Sequence, residues 1–77
     1  MFIVNQGRNV VWNIDKVIAS FVQDKAVTLN TREKNNVIGR YETADRAQEV
    51  FEEMLQECFS MSVYDSSRNG VYYMPEA

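Results

Sequence analysis

The sequence contains no histidine, only one cysteine and only one proline, and each shortage excludes a class of chemistry or structure. Without histidine, the usual general base and the Ser–His and Cys–His nucleophile pairs cannot form. The single cysteine, Cys58, cannot make an intramolecular disulfide, and an ordinary zinc site needs several cysteine or histidine ligands. The sequence therefore predicts a protein that is not an enzyme and that holds no metal and no other cofactor.

The three glycines, Gly7, Gly39 and Gly70, lie far apart in the sequence. No glycine-rich phosphate loop is present, because such a loop needs its glycines within a few residues of one another. A nucleotide site would have to be built from scattered residues, and we expect it to lie between subunits.

Long apolar runs are also missing. No stretch approaches the roughly 18 apolar residues that cross a bilayer, and the opening MFIVNQGRNV lacks the basic and long apolar regions of a secretion signal. These absences predict a cytoplasmic protein without a membrane partner.

Length and composition predict one small folded domain, residues 1–77. The chain is 45% hydrophobic and 25% charged, which supplies enough apolar material for a core. A chain of this length buries only about 60–65% of its unfolded surface, so its stability margin is thin. Self-association is therefore expected to contribute, as a homo-oligomer.

The net charge of −3 is distributed unevenly. Residues 1–42 carry a net charge of +2, whereas residues 43–77 carry −5. The surface is therefore expected to be electrically two-sided. Because proteins that bind duplex nucleic acid are usually basic, the balance disfavours that partner.

Residues 1–42 predict three or four antiparallel strands. FIVN and VVWNI flank the turn-like group QGRN and predict an opening hairpin, and VIASFV, AVTLNT and VIGRYE follow between polar stretches. In KVIASFV both faces of the strand are apolar. One helix can cover only one of them, so the other face is expected to meet the C-terminal segment or another subunit.

The segment TADRAQEVFEEMLQECFSM predicts one long helix. Thr43 is a suitable N-cap and Asp45 lies in the first turn, where the helix dipole favours negative charge. Apolar residues recur at three- and four-residue steps and predict a stripe that packs on the sheet: Ala47, Val50, Phe51, Met54, Leu55 and Cys58. We interpret Cys58 as a core residue for this reason. The fold class predicted is α+β, an antiparallel sheet of three to five strands with one long amphipathic helix packed on one face.

The chain ends in RNGVYYMPEA, which is unusually aromatic for a disordered tail. Asn69-Gly70 is a strong turn signal. Val71, Tyr72, Tyr73 and Met74 predict an edge strand that Pro75 ends.

Candidate binding residues are of two kinds. Arginines for phosphate and tyrosines for stacking form a ligand-binding set: Arg8, Arg32, Arg40, Arg68, Tyr72 and Tyr73. Lys34, Trp12, Tyr41 and Tyr64 are further candidates, although Trp12 and Tyr41 also fit a core. On the outer face of the helix, four carboxylates form a partner-binding set that could also be an ordinary solvated face: Glu49, Glu52, Glu53 and Glu57.

Three pieces of the chain resemble short proteins from phages and mobile elements of low-GC Gram-positive bacteria: MFIVNQGRNVVWNIDKV, IGRYETADRAQEVFEEML and GVYYMPEA. They cover over half of the chain and contain no catalytic signature. Among such proteins the chain resembles the Thoeris anti-defence protein one family. The resemblance implies an oligomeric sponge in the host cytoplasm that sequesters a cyclic ADP-ribose-type immune signal without cleaving it.

Two other functions remain open. The chain is also similar to anti-CRISPR and related inhibitors, which implies a protein–protein inhibitor that captures a bacterial protein through the acidic helix face. A self-associating structural or regulatory module would bind neither a nucleotide nor a host protein.

Overall fold

The computed structural model describes residues 1–58 and 70–77. It has one helix and two sheets and is α+β, with the helix packed on sheet structure. The elements in chain order are β1 (Phe2–Val4), β2 (Val11–Asn13), a short 3₁₀ helix (Ile14–Lys16), β3 (Val17–Gln23), β4 (Ala26–Thr31), β5 (Asn35–Arg40), α1 (Ala44–Cys58) and β6 (Val71–Tyr73).

The strands form two three-stranded sheets, where the sequence predicts a single sheet. The first sheet has the order β2–β1–β6 and the second the order β3–β4–β5. The 3₁₀ helix separates them along the chain, and the Asn13 side chain begins it by accepting a hydrogen bond from the amide of Asp15 at 3.0 Å. This local turn redirects the chain between β2 and β3, so that the two strands do not pair.

The predicted opening hairpin is confirmed. β1 and β2 pair antiparallel, with Ile3 opposite Trp12. The Asn5 side chain organises the connecting loop, because its Oδ1 accepts from the amides of Asn9 at 3.0 Å and Val10 at 3.1 Å. The left-handed backbone position in this loop falls on Arg8, with φ of 62°, and not on the neighbouring Gly7.

The C-terminal strand β6 lies at an edge of the first sheet, as predicted, but it runs parallel to β1. The fully antiparallel arrangement predicted from the sequence is therefore wrong for this strand. Parallel pairing requires a crossover connection, and here the chain passes through the second sheet and α1 before it returns beside β1. The pairing continues past the strand, since the amide of Met74 donates to the carbonyl of Val4 at 3.0 Å.

The helix begins as predicted. Thr43 is the N-cap, because its Oγ1 accepts from the amide of Arg46 at 3.0 Å, and α1 then runs from Ala44. Its buried residues are Ala47, Val50, Met54 and Cys58, while Phe51 and Leu55 are half-buried against the core.

The core lies between the helix and the inner faces of both sheets. The first sheet contributes Ile3 and Tyr72, and the second contributes Val27, Leu29 and Ile38. The side of β3 that faces away from the core remains partly open, and Ile18 is the most exposed large apolar residue there, at 66%. No helix in the part of the chain that the structure describes is long and apolar enough to cross a membrane.

Tyr64, Arg68 and Asn69 lie within residues 59–69, outside the described residues. The predictions made for Tyr64, for Arg68 and for the Asn69-Gly70 turn therefore stay predictions.

Gly39 provides a test of the packing between β5 and the core. A Cβ atom added there would lie 2.7 Å from Oη and 2.9 Å from Cε2 of Tyr41, so Gly39→Ala must displace the buried Tyr41 ring. We expect a loss of about 1–3 kcal/mol in the free energy of unfolding, measured by urea denaturation. Gly70→Ala is the matched control, because no atom of residues 1–58 or 70–77 lies within 4 Å of its added Cβ. Equal effects of the two substitutions would contradict this account of the packing.

Candidate functional site

The structure separates the predicted ligand-binding residues instead of gathering them into one site. Arg8 contacts Tyr73, Arg40 lines one cleft and Arg32 lines another. Tyr72 is buried, and Arg68 lies outside the described residues. The five of these residues that the structure describes therefore do not form a common pocket.

Tyr72 is a core residue, 9% exposed. Its hydroxyl donates a hydrogen bond to Oε1 of Glu53 at 2.9 Å. Burial raises the pKa of Tyr72 far above its ordinary value, and the hydrogen bond to the Glu53 carboxylate raises it further. The predicted role of Tyr72 as a stacking surface does not fit this position, because the ring is covered.

Arg8 is engaged by the chain's own C-terminal segment. Its Nη1 donates to the carbonyl of Met74 at 2.7 Å, and its guanidinium lies 5.2 Å from the centre of the Tyr73 ring. Glu76 is 4.0 Å from Nη2. Arg8 and Tyr73 thus interact with each other, and this arrangement has a structural explanation that needs no ligand.

Three further side chains hold the same segment. Tyr41 donates its hydroxyl to the carbonyl of Pro75 at 2.9 Å, and Gln6 Nε2 donates to that of Glu76 at 2.8 Å. Arg46 donates from Nε and Nη2 to the Ala77 carbonyl at 3.2 and 3.0 Å. Burial raises the pKa of Tyr41, and the nearby Arg46 opposes that shift. Sequence reasoning missed Gln6 and Arg46, since nothing in the local sequence marks them as tertiary contacts.

Arg40 lines a cleft of about 520 Å³ beside this segment, together with Arg46, Glu42, Glu76 and Ala77. Two arginines face two carboxylates there, and Arg46 already contacts Ala77. The lining offers no excess of positive charge for an anion.

Arg32 lines a larger cleft, of about 750 Å³. The cleft lies between the 3₁₀ helix and the turn that joins β4 to β5, with β2 and β3 contributing to its wall. We name it the hairpin cleft, and its lining residues are Trp12, Asp15, Lys16, Ile18, Thr31, Arg32, Glu33, Lys34 and Asn36.

Hydrogen bonds fix the turn that carries Arg32 and Lys34. The carbonyl of Lys34 accepts from the amide of Thr31 at 3.0 Å, from Thr31 Oγ1 at 3.2 Å and from Asn36 Nδ2 at 3.2 Å. Across the hairpin, Asn30 Nδ2 donates to Asn35 Oδ1 at 2.6 Å. The backbone of the turn is thereby held, while the side chains of Arg32 and Lys34 remain exposed.

The hairpin cleft combines three cations with an apolar wall. Lys16, Arg32 and Lys34 outnumber the carboxylates of Asp15 and Glu33 by one. Within residues 1–58 and 70–77, the ion pairs of 4.0 Å or less are Arg8–Glu76 and Arg46–Glu49, so the three cleft cations are not engaged in such pairs there.

Trp12 and Ile18 supply the apolar wall. Trp12 is half-buried against the core, and Ile18 is mostly exposed. The sequence alone does not indicate that Lys16 is a site residue, because it reaches the cleft only through the turn of the 3₁₀ helix.

The four helix carboxylates are all exposed, and at least two of them have partners in the fold. Glu49 contacts Arg46 at 2.6 Å, and Glu53 accepts from Tyr72. Glu52 and Glu57 are exposed on α1 as well. The predicted acidic face exists as a surface, and intramolecular contacts reduce its negative charge at Glu49.

No group of three or more cysteine, aspartate or glutamate side chains that could hold a metal ion occurs among the described residues. Comparison of the chain with known protein families, with curated proteins and with solved structures found no match. The resemblance stated from the sequence therefore stays a prediction.

The buried Tyr72 hydroxyl predicts a specific alkaline dependence of stability. Above about pH 10 the unfolded chain loses the tyrosine proton while the folded chain keeps it, so stability decreases by up to about 1.4 kcal/mol per pH unit for this group. Tyr72→Phe removes this contribution, and its stability should fall less steeply with pH. The measurement is urea unfolding at neutral pH and at several values above pH 10.

Tyr73→Phe is the matched control, at the adjacent exposed position, and should reproduce the wild-type profile. A Tyr72→Phe profile as steep as the wild-type profile would show that Tyr72 does not hold its proton in the folded state.

Proposed function

We propose that this chain is a non-enzymatic binding protein that sequesters a small anionic ligand with a planar ring, of cyclic nucleotide type, in the hairpin cleft. The observation that carries the proposal is the cleft lining, which combines Trp12 with the cations of Lys16, Arg32 and Lys34. Of the six ligand-binding residues predicted from the sequence this cleft retains Arg32, and it adds two of the further candidates, Lys34 and Trp12.

The dimensions suit a ligand of that class. Small-molecule sites have volumes of about 300–1,000 Å³, and the cleft measures about 750 Å³. An indole ring provides a stacking surface for a base.

The polar groups suit it as well. Guanidinium and ammonium groups form strong, charge-assisted hydrogen bonds to phosphate oxygens, and arginine can do so with two parallel bonds. Asp15 and Glu33 can accept hydrogen bonds from ribose hydroxyls, as acidic residues do in dinucleotide sites. A ligand that carries phosphates at one end and hydroxyls at the other uses both kinds of side chain.

The same lining supports capture without cleavage. The cleft holds no cysteine or histidine, and its residues offer charges and hydrogen bonds for binding but no nucleophile activated by a neighbouring base. In a phage-encoded protein that acts in the bacterial cytoplasm, such capture would lower the free concentration of an immune signal. This setting rests on the resemblance of the three sequence segments.

Isothermal titration of the purified chain with cyclic ADP-ribose, and with inorganic phosphate for comparison, tests the proposal. Binding of the nucleotide is expected, and Arg32→Ala and Lys34→Ala should each weaken it by roughly 10- to 100-fold, because each removes a charge-assisted contact. Lys25→Ala is the matched control. It removes an exposed cation from the turn between β3 and β4, outside the cleft lining, and should bind as the wild type does.

Absence of nucleotide binding by the wild type would contradict the proposal. Equal binding by the Arg32→Ala, Lys34→Ala and Lys25→Ala chains would show that the ligand lies elsewhere.

A second candidate function is inhibition of a bacterial protein, such as a defence or CRISPR component, through the acidic helix face. The exposure of Glu49, Glu52, Glu53 and Glu57 on one side of α1 favours it, because such a surface can occupy a basic site meant for nucleic acid.

Charge reversal tests this second candidate. The double variant Glu52→Lys, Glu57→Lys should lose capture of a partner that the wild type retains in a pull-down from bacterial lysate. Glu42→Lys is the control, because Glu42 precedes the helix. Retained capture by the double variant would contradict the role of the acidic face.

A further inference from the structure

The first sheet has an outer face that the core does not cover. In an antiparallel or parallel pair, residues in register point to the same side of the sheet. Ile3 and Tyr72 point into the core, so the neighbouring positions of each strand point outward. These positions form two rows across the sheet, Val11–Val4–Tyr73 and Asn13–Phe2–Val71.

This outer face is apolar and largely exposed. Val11 is 57% exposed, Tyr73 56%, Val71 45% and Phe2 40%. They surround Val4, which is buried. Five of the six positions are apolar or aromatic, Asn13 is the polar one, and none of the six carries a charge.

The outer face of the second sheet is different. Its rows in register are Gln23–Ala26–Arg40, Phe21–Thr28–Val37 and Ala19–Asn30–Asn35. Polar residues and the charge of Arg40 interrupt its apolar positions. An apolar partner surface therefore fits the first sheet better than the second.

The charge distribution identifies which partner fits. The helix carboxylates lie on the other side of the first sheet, because α1 packs on the inner face that holds Tyr72. Two copies of this acidic chain that met at their outer faces would bring uncharged surfaces together and keep both acidic helices outside the contact. Like-charge repulsion, which opposes most other ways of pairing two copies, would then be small.

We propose that the outer face of the first sheet is a homodimer interface, in which two copies pack their first sheets face to face. Aligned sheet packing of this kind is common in β-sandwiches. The paired aromatic and valine side chains would form the centre of the contact, and Arg8, beside Tyr73, would lie at its rim. This inference does not depend on the ligand of the hairpin cleft.

The expected strength follows from the size of the face. Stable interfaces bury about 800 Å² on each partner, and a fully buried phenylalanine or tyrosine accounts for about 150–250 Å². Four half-exposed side chains on strands of three residues supply the centre of such an interface but not all of it. The affinity between the two copies should therefore be low, and the fraction of dimer should depend on protein concentration.

Sedimentation velocity of the full chain at concentrations from about 1 to several hundred micromolar tests the proposal. The wild type should shift from 8.9 kDa towards twice that mass as its concentration rises. Val71→Lys, on the edge strand β6, should remain a monomer over the same range. Val37→Lys is a closely matched control, because Val37 lies on the edge strand β5 of the other sheet and is 43% exposed against 45% for Val71. It should dimerise as the wild type does.

A second variant, Val11→Lys, places the charge on the opposite edge of the same face and should also give a monomer. Circular dichroism of each variant verifies that it is folded. If one of the two lysine variants of the first sheet is unfolded, the other one provides the test. A wild type that stays monomeric throughout overturns the proposal. Dimers of both folded lysine variants, or loss of the dimer only in Val37→Lys, overturn it as well and assign the contact to another surface.

Discussion

Hydrogen bonds from four side chains hold residues 74–77 and constrain the rest of the structure. Consecutive carbonyls of Met74, Pro75, Glu76 and Ala77 accept from Arg8, Tyr41, Gln6 and Arg46. These donors come from the β1–β2 loop, from the end of β5 and from α1. Gln6 also joins the two sheets, since its side chain both accepts from the amide and donates to the carbonyl of Arg40 at 2.8 Å. An extended segment without regular secondary structure thereby connects three parts of the fold.

This constraint determines which charged groups remain for binding. Arg8 and Arg46 contact the C-terminal segment, and Tyr72 is covered by α1. The Arg8 guanidinium would have to break its part-buried bond to the Met74 carbonyl to bind a ligand, at a cost of roughly 1–3 kcal/mol. Among the described residues, the hydrogen bonds of the turn that carries Arg32 and Lys34 are made by its backbone and by the side chains of Asn30, Thr31, Asn35 and Asn36, so these two cations have no such competing bond there. An anionic ligand would therefore bind more easily at the turn than at Arg8.

Local signals in the sequence were sufficient for the local structure. The hairpin at Asn5, the N-cap at Thr43 and the edge strand near Tyr72 each follow from residues within a few positions of one another. The division into two sheets and the parallel return of β6 depend on pairing between distant segments, for which the chain carries no local signal. Tyr72 and Tyr73 are identical neighbours on one strand, so the sequence does not reveal that Tyr72 is the one that faces the core. Lys16 reaches the hairpin cleft only because a 3₁₀ helix turns the chain there, and that turn was not predicted.

Strand β2 connects the cleft and the outer face of the first sheet. It is three residues long and lies at an edge, with Val11 on the outer face and Trp12 on the wall of the hairpin cleft. Short edge strands are among the least stable parts of a sheet. If a second copy packed over Val11 made β2 more rigid, it would also hold Trp12 more firmly, and part of the entropy cost of ordering the cleft would then be met before a ligand binds. By thermodynamic linkage, a ligand that orders Trp12 would increase the affinity of dimerisation by the same factor by which dimerisation increases the affinity for the ligand. Strand β2 would then couple the cleft to the outer face of the first sheet.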